Sequence, residues 1–171
     1  MFGICNLAII PLRLEHSDKS EIVSQVLFGE HFEICEQFKQ WYRIRSQYDS
    51  YEGWIDSKQI QLISESNYNQ LSKDAIILNG DLIEYITSSS DFLLPIPLGS
   101  SLSFLNHIEI NTANLNFEGT KISGIKSKNN IIETAFMYLH APYLWGGKTP
   151  FGIDCSGFTQ MVYKLNGFKL D

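Results

Sequence analysis

Tyr143-Leu144-Trp145-Gly146-Gly147 and, after a short loop, Asp154-Cys155-Ser156-Gly157-Phe158 decide how this chain is read, because they set one cysteine at the start of a predicted helix. The loop formers Thr149, Pro150 and Gly152 come first, and Phe158, Met161, Val162 and Leu165 then fall at i, i+3, i+4 and i+7, which gives a helix one apolar face. Cys155 occupies its first turn. Unpaired backbone N–H groups and the positive dipole end of a helix N-terminus favour a thiolate over a thiol, and the thiolate is the attacking species. A buried, inert small hydrophobe is the ordinary fate of a free cysteine, so the neighbouring residues must decide between the two.

Those neighbours carry a resemblance. Tyr143, Trp145, Gly146, Gly147, Asp154, Cys155, Ser156, Gly157 and Phe158, with Tyr163 and Gly167 beyond, resemble the N-terminal half of the NlpC/P60 cysteine peptidase domain. The resemblance implies a papain-like α+β fold and a cysteine peptidase acting on cell-wall peptides, with Cys155 as nucleophile and Tyr143 beside it at the oxyanion site. It also implies that Asp154 binds the free amino terminus of the substrate, with Ser156 and Trp145 lining the same pocket. A buried carboxylate beside an ammonium makes a strong charge-assisted hydrogen bond. Asp154 equally stands where a helix N-cap is expected, and the two roles are compatible.

A cysteine peptidase needs a general base, usually histidine, and a polar group to orient it. The resemblance places both well after the cysteine, whereas His16, His31, His107 and His140 all precede Cys155. His140 follows an apolar helix predicted over 131–139, with Asn130 as N-cap and Glu133 completing a capping box; it precedes Pro142 and reads as a polar helix-end residue. No histidine is assigned as the base, and the chain reads as a peptidase truncated within its catalytic domain.

Composition is that of an ordinary globular protein, with 171 residues, 44% hydrophobic and 13% aromatic. A net charge of −6 and no cluster of Lys or Arg argue against nucleic acid and anionic membrane surfaces as partners. Cys5, Cys35 and Cys155 have no metal-ligand spacing, so no zinc site, disulfide framework or cofactor is expected, and a reducing, cytoplasmic setting fits. The apolar run 2–12 lacks a basic leader and a small-residue cleavage site, and is read as a first strand.

From Gln25 onward, short strands separated by turns (26–28, 32–35, 41–44 and 53–55) indicate a small β-barrel. Leu27-Phe28-Gly29-Glu30, Trp41-Tyr42-Arg43-Ile44 and Tyr51-Glu52-Gly53-Trp54-Ile55 resemble a bacterial SH3-like domain. By that resemblance Glu30 and Tyr51 face the substrate and close one end of its site. The polar stretch 65–73 reads as a linker or short helix. Strands are expected again at 75–78, 82–87, 92–94, 101–105, 107–110 and 120–122, with Asn79-Gly80 as a type I′ hairpin signal.

The expected fold class is therefore α+β and multidomain: an SH3-like barrel over 1–64, a second over 74–122, and the N-terminal helical half of a papain-like domain over 124–171. Without the sheet of that domain, the apolar face of the Cys155 helix would lack a packing partner. The expected function is cysteine-type hydrolysis of γ-D-glutamyl–diamino acid bonds in murein peptides bearing a free N-terminal L-Ala, a recycling activity, with the truncated chain itself inactive. The alternative is a non-catalytic SH3-like binding module carrying a vestigial peptidase segment.

Overall fold

The computed structural model describes residues 1–88, 93–108 and 115–170. Seven strands open the chain: β1 (Phe2–Cys5), β2 (Ile9–Arg13), β3 (Ile22–Leu27), β4 (His31–Phe38), β5 (Trp41–Ser46), β6 (Glu52–Asp56) and β7 (Ile60–Ile63). They form one antiparallel sheet in the order β3-β2-β6-β5-β4-β1-β7. In β2, residues 10 and 12 are buried while 9, 11 and 13 are partly exposed, the period-2 pattern of a sheet with one face inward. Cys5, Ile10, Leu12, Val26, Phe32, Ile34, Ile44 and Ile55 from six of these strands meet in one core, so the sheet curls around them. Gly53 is required there, because a Cβ at that position would lie 2.6 Å from Leu12 Cγ and 2.9 Å from the Arg13 carbonyl.

The run 2–12 is two strands, not one. The ladder breaks at Asn6–Ala8, so that β1 pairs with β4 and β7 while β2 pairs with β3 and β6, and each apolar piece finds its own partners.

Residues 65–73 form helix α1 (Glu65–Lys73), started by the Ser64 side chain accepting from Asn67 N at 3.1 Å. Next come β8 (Ile77–Asn79), β9 (Ile83–Ser88), β10 (Leu93–Pro97), β11 (Leu115–Phe117) and β12 (Lys121–Ser123). These make a three-stranded sheet, β10-β9-β11, and a two-stranded one, β12-β8, with a bridge from Leu78 to Ser101.

Several expectations in this region are corrected. Asn79-Gly80 does not turn a hairpin, because β8 and β9 pair in different sheets. The buried Asn79 side chain instead donates to the carbonyls of Asp81, Ile96 and Pro97 and fixes the chain crossing. The strand expected at 101–105 is replaced by a 3₁₀ turn, Ser103–Asn106, anchored by Ser103 Oγ, which accepts from Ile77 N and donates to the Ala75 carbonyl. His107 and Ile108 are not in a strand, and the remainder of that expected strand, with Phe92, lies outside the described residues. The core here is continuous with the first sheet: Ile4 and Phe28 pack among Leu71, Ile86, Ile96, Leu102 and Phe104.

The last segment holds α2 (Lys128–Phe136), the short hairpin strands β13 (Lys148–Thr149) and β14 (Gly152–Ile153), and α3 (Cys155–Leu165). Ser127, not Asn130, is the N-cap of α2; Asn130 lies inside the first turn, where its Oδ1 accepts from Ser127 Oγ at 2.9 Å. The apolar face of α3 is not left bare. Met161, Val162 and Leu165 are buried against Leu27 of β3, Leu78, Leu98 and Tyr138, so the SH3-like sheet and the following unit supply the partner. Full burial of side chains of this size is worth about 1.5–3 kcal/mol each. The outer face of α2 is left to solvent, with Ile132 63% and Phe136 65% exposed.

Candidate active site

Asp154 starts α3 from extended backbone (φ −101°, ψ 178°) and holds the nucleophile candidate's surroundings together. Its Oδ1 accepts from Gly157 N at 2.7 Å and Ser156 Oγ at 2.8 Å, and its Oδ2 accepts from Gly146 N at 2.8 Å. Burial opposes the ionised form, but the hydrogen bonds from Gly157, Ser156 and Gly146 together outweigh it and hold the carboxyl below its ordinary range. Asp154 is thus an N-cap, as expected. Three donors reach it, and no cationic side chain among the described residues pairs with it.

Cys155 is the first residue of α3 and is exposed. The loop before it is stitched to its approach: Leu144 N donates to the Ile153 carbonyl at 3.2 Å, Gly147 N to Leu144 O at 2.9 Å, and Asp154 N to Gly147 O at 3.3 Å. Tyr143 forms a backbone bridge with Ile153, two residues before the cysteine, and its side chain is 67% exposed. Gly146 has φ +74°, and a Cβ there would sit 2.5 Å from the Ile22 carbonyl of β3, so only glycine lets the loop pass the sheet. Trp145 Nε1 donates to Glu21 Oε1 at 2.6 Å, a second tie between loop and barrel.

Between loop and barrel lies a small cavity of about 110 Å³, into which Val23, Ser24, Asp49 and Tyr51 face from one side and Gly146, Lys148, Asp154, Ser156 and Gln160 from the other. The structure therefore brings Asp154, Ser156 and Tyr51 together. It does not bring Glu30 to them. Past the Gly29 turn (φ +75°), Glu30 pairs through Oε1 with Lys164 Nζ, while its Oε2 accepts from Leu27 N at 2.8 Å. Lys164 donates as well to the Gly99 carbonyl at 3.1 Å and lies 5.1 Å from the Tyr48 ring. The pair lines a separate cavity of about 480 Å³.

Three of the four histidines are engaged elsewhere. His16 packs on Phe38 and Trp54, His31 hydrogen-bonds Ser72 Oγ at 3.2 Å, and His107 meets Asp74 at 3.5 Å. His140, at φ +67°, lies beyond the end of α2. Burial holds the His31 imidazole down to about 4, so it is neutral at physiological pH.

Sequence reasoning missed a polar cluster. Asp49 Oδ2 accepts from Lys148 Nζ at 3.1 Å and from Gln160 Nε2 at 2.7 Å, and its Oδ1 accepts from Tyr51 N at 3.1 Å. Lys148 N in turn donates to Gln25 Oε1 at 2.7 Å. Burial works against ionised Asp49, but Lys148, then Ser46, Tyr51 and Gln160, bring it down to about 2. In sequence Asp49 reads as a turn aspartate and Lys148 as a solvated lysine; only their adjacency to Tyr51 and to the Gly146-Gly147 pair marked them out.

Comparison with known proteins fits this geometry. Residues 12–60 match the bacterial dipeptidyl-peptidase SH3 domain, and residues 140–171 match the NlpC/P60 family. Dipeptidyl-peptidase 6 of Lysinibacillus sphaericus is 24% identical over 172 residues, covering 86% of this chain and 63% of that protein. The gamma-D-glutamyl-L-lysine dipeptidyl-peptidase of Bacillus subtilis (strain 168) is 28% identical over 165 residues, covering 87% of this chain and 55% of that protein. This chain thus spans a little over half the length of these relatives. The crystal structure of an NlpC/P60 family protein from Bacillus cereus ATCC 10987 superposes with a TM-score of 0.79 at 16% identity, covering 99% of this chain and 74% of that one, a likeness of fold. The chain thus resembles an SH3 domain of the bacterial dipeptidyl-peptidase type over residues 12–60 and the NlpC/P60 family over residues 140–171.

Proposed function

We propose that this chain is the nucleophile-bearing portion of a cysteine peptidase that hydrolyses γ-D-glutamyl–diamino acid bonds in murein peptides with a free N-terminal L-Ala, in cytoplasmic recycling of cell-wall peptides. The observation that carries the reading is an ionised, cation-free Asp154 in a small cleft roofed by Val23, Ser24 and Tyr51, one residue from an exposed Cys155. The cleft has room for a small ammonium-bearing residue and not for an extended chain. Asp154 and Tyr51 take the amino end and Ser156 borders it, while Trp145, tied to Glu21, is not among the residues lining the cleft and Glu30 stays bound to Lys164 outside it. Residues 74–122 are read as a second SH3-like unit between the first barrel and the peptidase segment.

In the reaction, Cys155 Sγ as thiolate attacks the amide carbon, with Tyr143 beside the developing oxyanion. The C–N bond breaks as the amine takes a proton, leaving a thioester; water then adds, the C–S bond breaks and the thiolate is restored. A general base must supply and remove those protons, work worth about 10²–10⁴ in rate. With His16, His31 and His107 engaged elsewhere and His140 beyond the end of α2, we expect negligible turnover from residues 1–171 alone. The same observation favours a second reading, a non-catalytic SH3-like binding module with a vestigial peptidase segment.

Titration of Trp and Tyr fluorescence with L-Ala-γ-D-Glu and with its N-acetyl form tests the recognition step. Binding of the free-amino peptide alone supports the proposal; equal binding of both, or of neither, refutes it. Incubation with L-Ala-γ-D-Glu-L-Lys, followed by chromatography, separates the readings on catalysis, since turnover abolished by Cys155→Ala shows that a base is present after all, with His140 the first residue to test.

A further inference from the structure

The cleft beside Cys155 carries three charged side chains, Asp49, Lys148 and Asp154. Two of them neutralise each other. Asp49 and Lys148 form an ion pair with side chains 8% and 11% exposed, and the carboxylate is held from three further directions by Gln160 Nε2, Tyr51 N and Ser46. Lys148 sits on β13, whose partner strand β14 leads directly into Asp154, and Lys148 and Asp154 line the same cavity. An ammonium resting on Asp154 would occupy the position a substrate's amino group needs.

We infer that Asp49 is a specificity-determining residue of this cleft: by binding Lys148 it keeps that ammonium off Asp154, and so leaves Asp154 as the uncompensated charge that selects cationic ligands. The inference rests on the ammonium-recognition reading above and adds to it a barrel residue that acts on Asp154 through Lys148. The geometry supports it in two ways. The Asp49 carboxylate is fixed before Lys148 arrives, by the Tyr51 amide within its own turn and by Gln160 one helical turn past the nucleophile. Lys148 in turn has its backbone pinned by Gln25, which restricts where its side chain starts.

The test uses the 171-residue chain itself, in a Cys35→Ser background so that the exposed Cys35 does not compete. Cys155 is modified with 2-aminoethyl methanethiosulfonate, which is cationic, and with neutral methyl methanethiosulfonate; in each case the thiolate displaces methanesulfinate and a mixed disulfide forms. The ratio of cationic to neutral rates, read by peptide mass, reports the charge of the cleft. The expected wild-type ratio is well above that of free cysteine. Asp49→Asn should lower it at least about fivefold, from the Coulomb cost of one charge a few ångströms away, as Lys148 swings towards Asp154.

Lys148→Met should raise the ratio or leave it unchanged, and Asp49→Asn with Lys148→Met should return it to the wild-type value. Opposite shifts of the two single variants cannot come from loosening of the fold, which would drive both towards the free-cysteine ratio. A wild-type preference that Asp49→Asn leaves intact overturns the inference alone. A wild-type ratio equal to that of free cysteine overturns the ammonium reading and this inference with it.

Discussion

Replacing Glu30 with glutamine separates a structural from a substrate-binding role for a residue that sequence resemblance places at the substrate. The Glu30–Lys164 pair joins the β3–β4 turn of the barrel to α3, with side chains 11% and 3% exposed. Glutamine is nearly isosteric and keeps an oxygen for Leu27 N, whose bond to Oε2 is 2.8 Å. What it removes is the counter-charge of Lys164, whose remaining partners are the Gly99 carbonyl and the Tyr48 ring. Breaking a buried pair from one side costs about 3–5 kcal/mol, whereas replacing both partners with apolar groups is often close to neutral. With a urea m-value of ~2 kcal/mol/M for a chain of this size, Glu30→Gln should lower the unfolding midpoint by about 1.5 M or more. Glu30→Leu with Lys164→Met should recover most of that loss. Fluorescence-detected urea unfolding measures both, and titration with L-Ala-γ-D-Glu on the same samples below the transition should give unchanged affinity. A midpoint within about 0.3 M of wild type, combined with lost peptide binding, would refute the structural assignment and return Glu30 to the substrate site.

Three further outcomes follow from the geometry. Gly146→Ala must place a Cβ 2.5 Å from the Ile22 carbonyl at φ +74°, so it should cost about 1–3 kcal/mol in urea unfolding and weaken peptide binding through the displaced Gly146 N–Asp154 bond. Asp49 has its carboxyl brought from 3.8 down to about 2, so its pairing stabilises the fold fully above about pH 4 and is lost as the pH falls through about 2; the stability difference between wild type and Asp49→Asn should shrink by about 2 kcal/mol across that window in pH-dependent unfolding. In folded protein, iodoacetamide should label Cys155 faster than Cys35, whose thiol is pushed up by burial, and should reach the fully buried Cys5 only after denaturation; equal rates at Cys155 and Cys35 would remove the argument from helix position.

What the sequence made legible was local. The N-cap role of Asp154, the apolar face of α3 and the strand pattern of β3 to β6 each rest on residues within one or two turns of each other, where periodicity and capping chemistry act directly. Asn79-Gly80 shows where that reasoning stops. The dipeptide has the turn chemistry, but whether its flanking strands pair is settled by what else they can bury, and β8 finds β12 while β9 finds β10 and β11.

The site was harder to read for a related reason. Its polar contacts join residues about a hundred positions apart, Asp49 to Lys148 and Gln160, Gln25 to Lys148, Glu30 to Lys164. A single polar side chain leaves no periodic trace, and a turn aspartate with a distant buried partner is spelled the same as one facing water. The resemblance to known peptidases pointed to Cys155, Asp154, Tyr51 and Glu30 because those positions carry motif spacing; the structure gathers Asp154 and Tyr51 at one cleft and seats Glu30 against Lys164 at another, since a glutamate after a tight turn can reach either side of it. In this chain a lysine on α3, one helical turn beyond Gln160, offers Glu30 a full charge in a nearly dry setting, where the attraction between opposite charges is stronger than in water. The barrel therefore meets the nucleophile helix through two carboxylates at different heights, Asp49, which accepts from Gln160 of α3 as well as from Lys148 of β13, and Glu30, which pairs with Lys164 near the end of α3. Both carboxylates come from the barrel, so Asp49 and Glu30 hold α3 at Gln160 and again one helical turn later at Lys164, on top of the apolar packing of Met161, Val162 and Leu165.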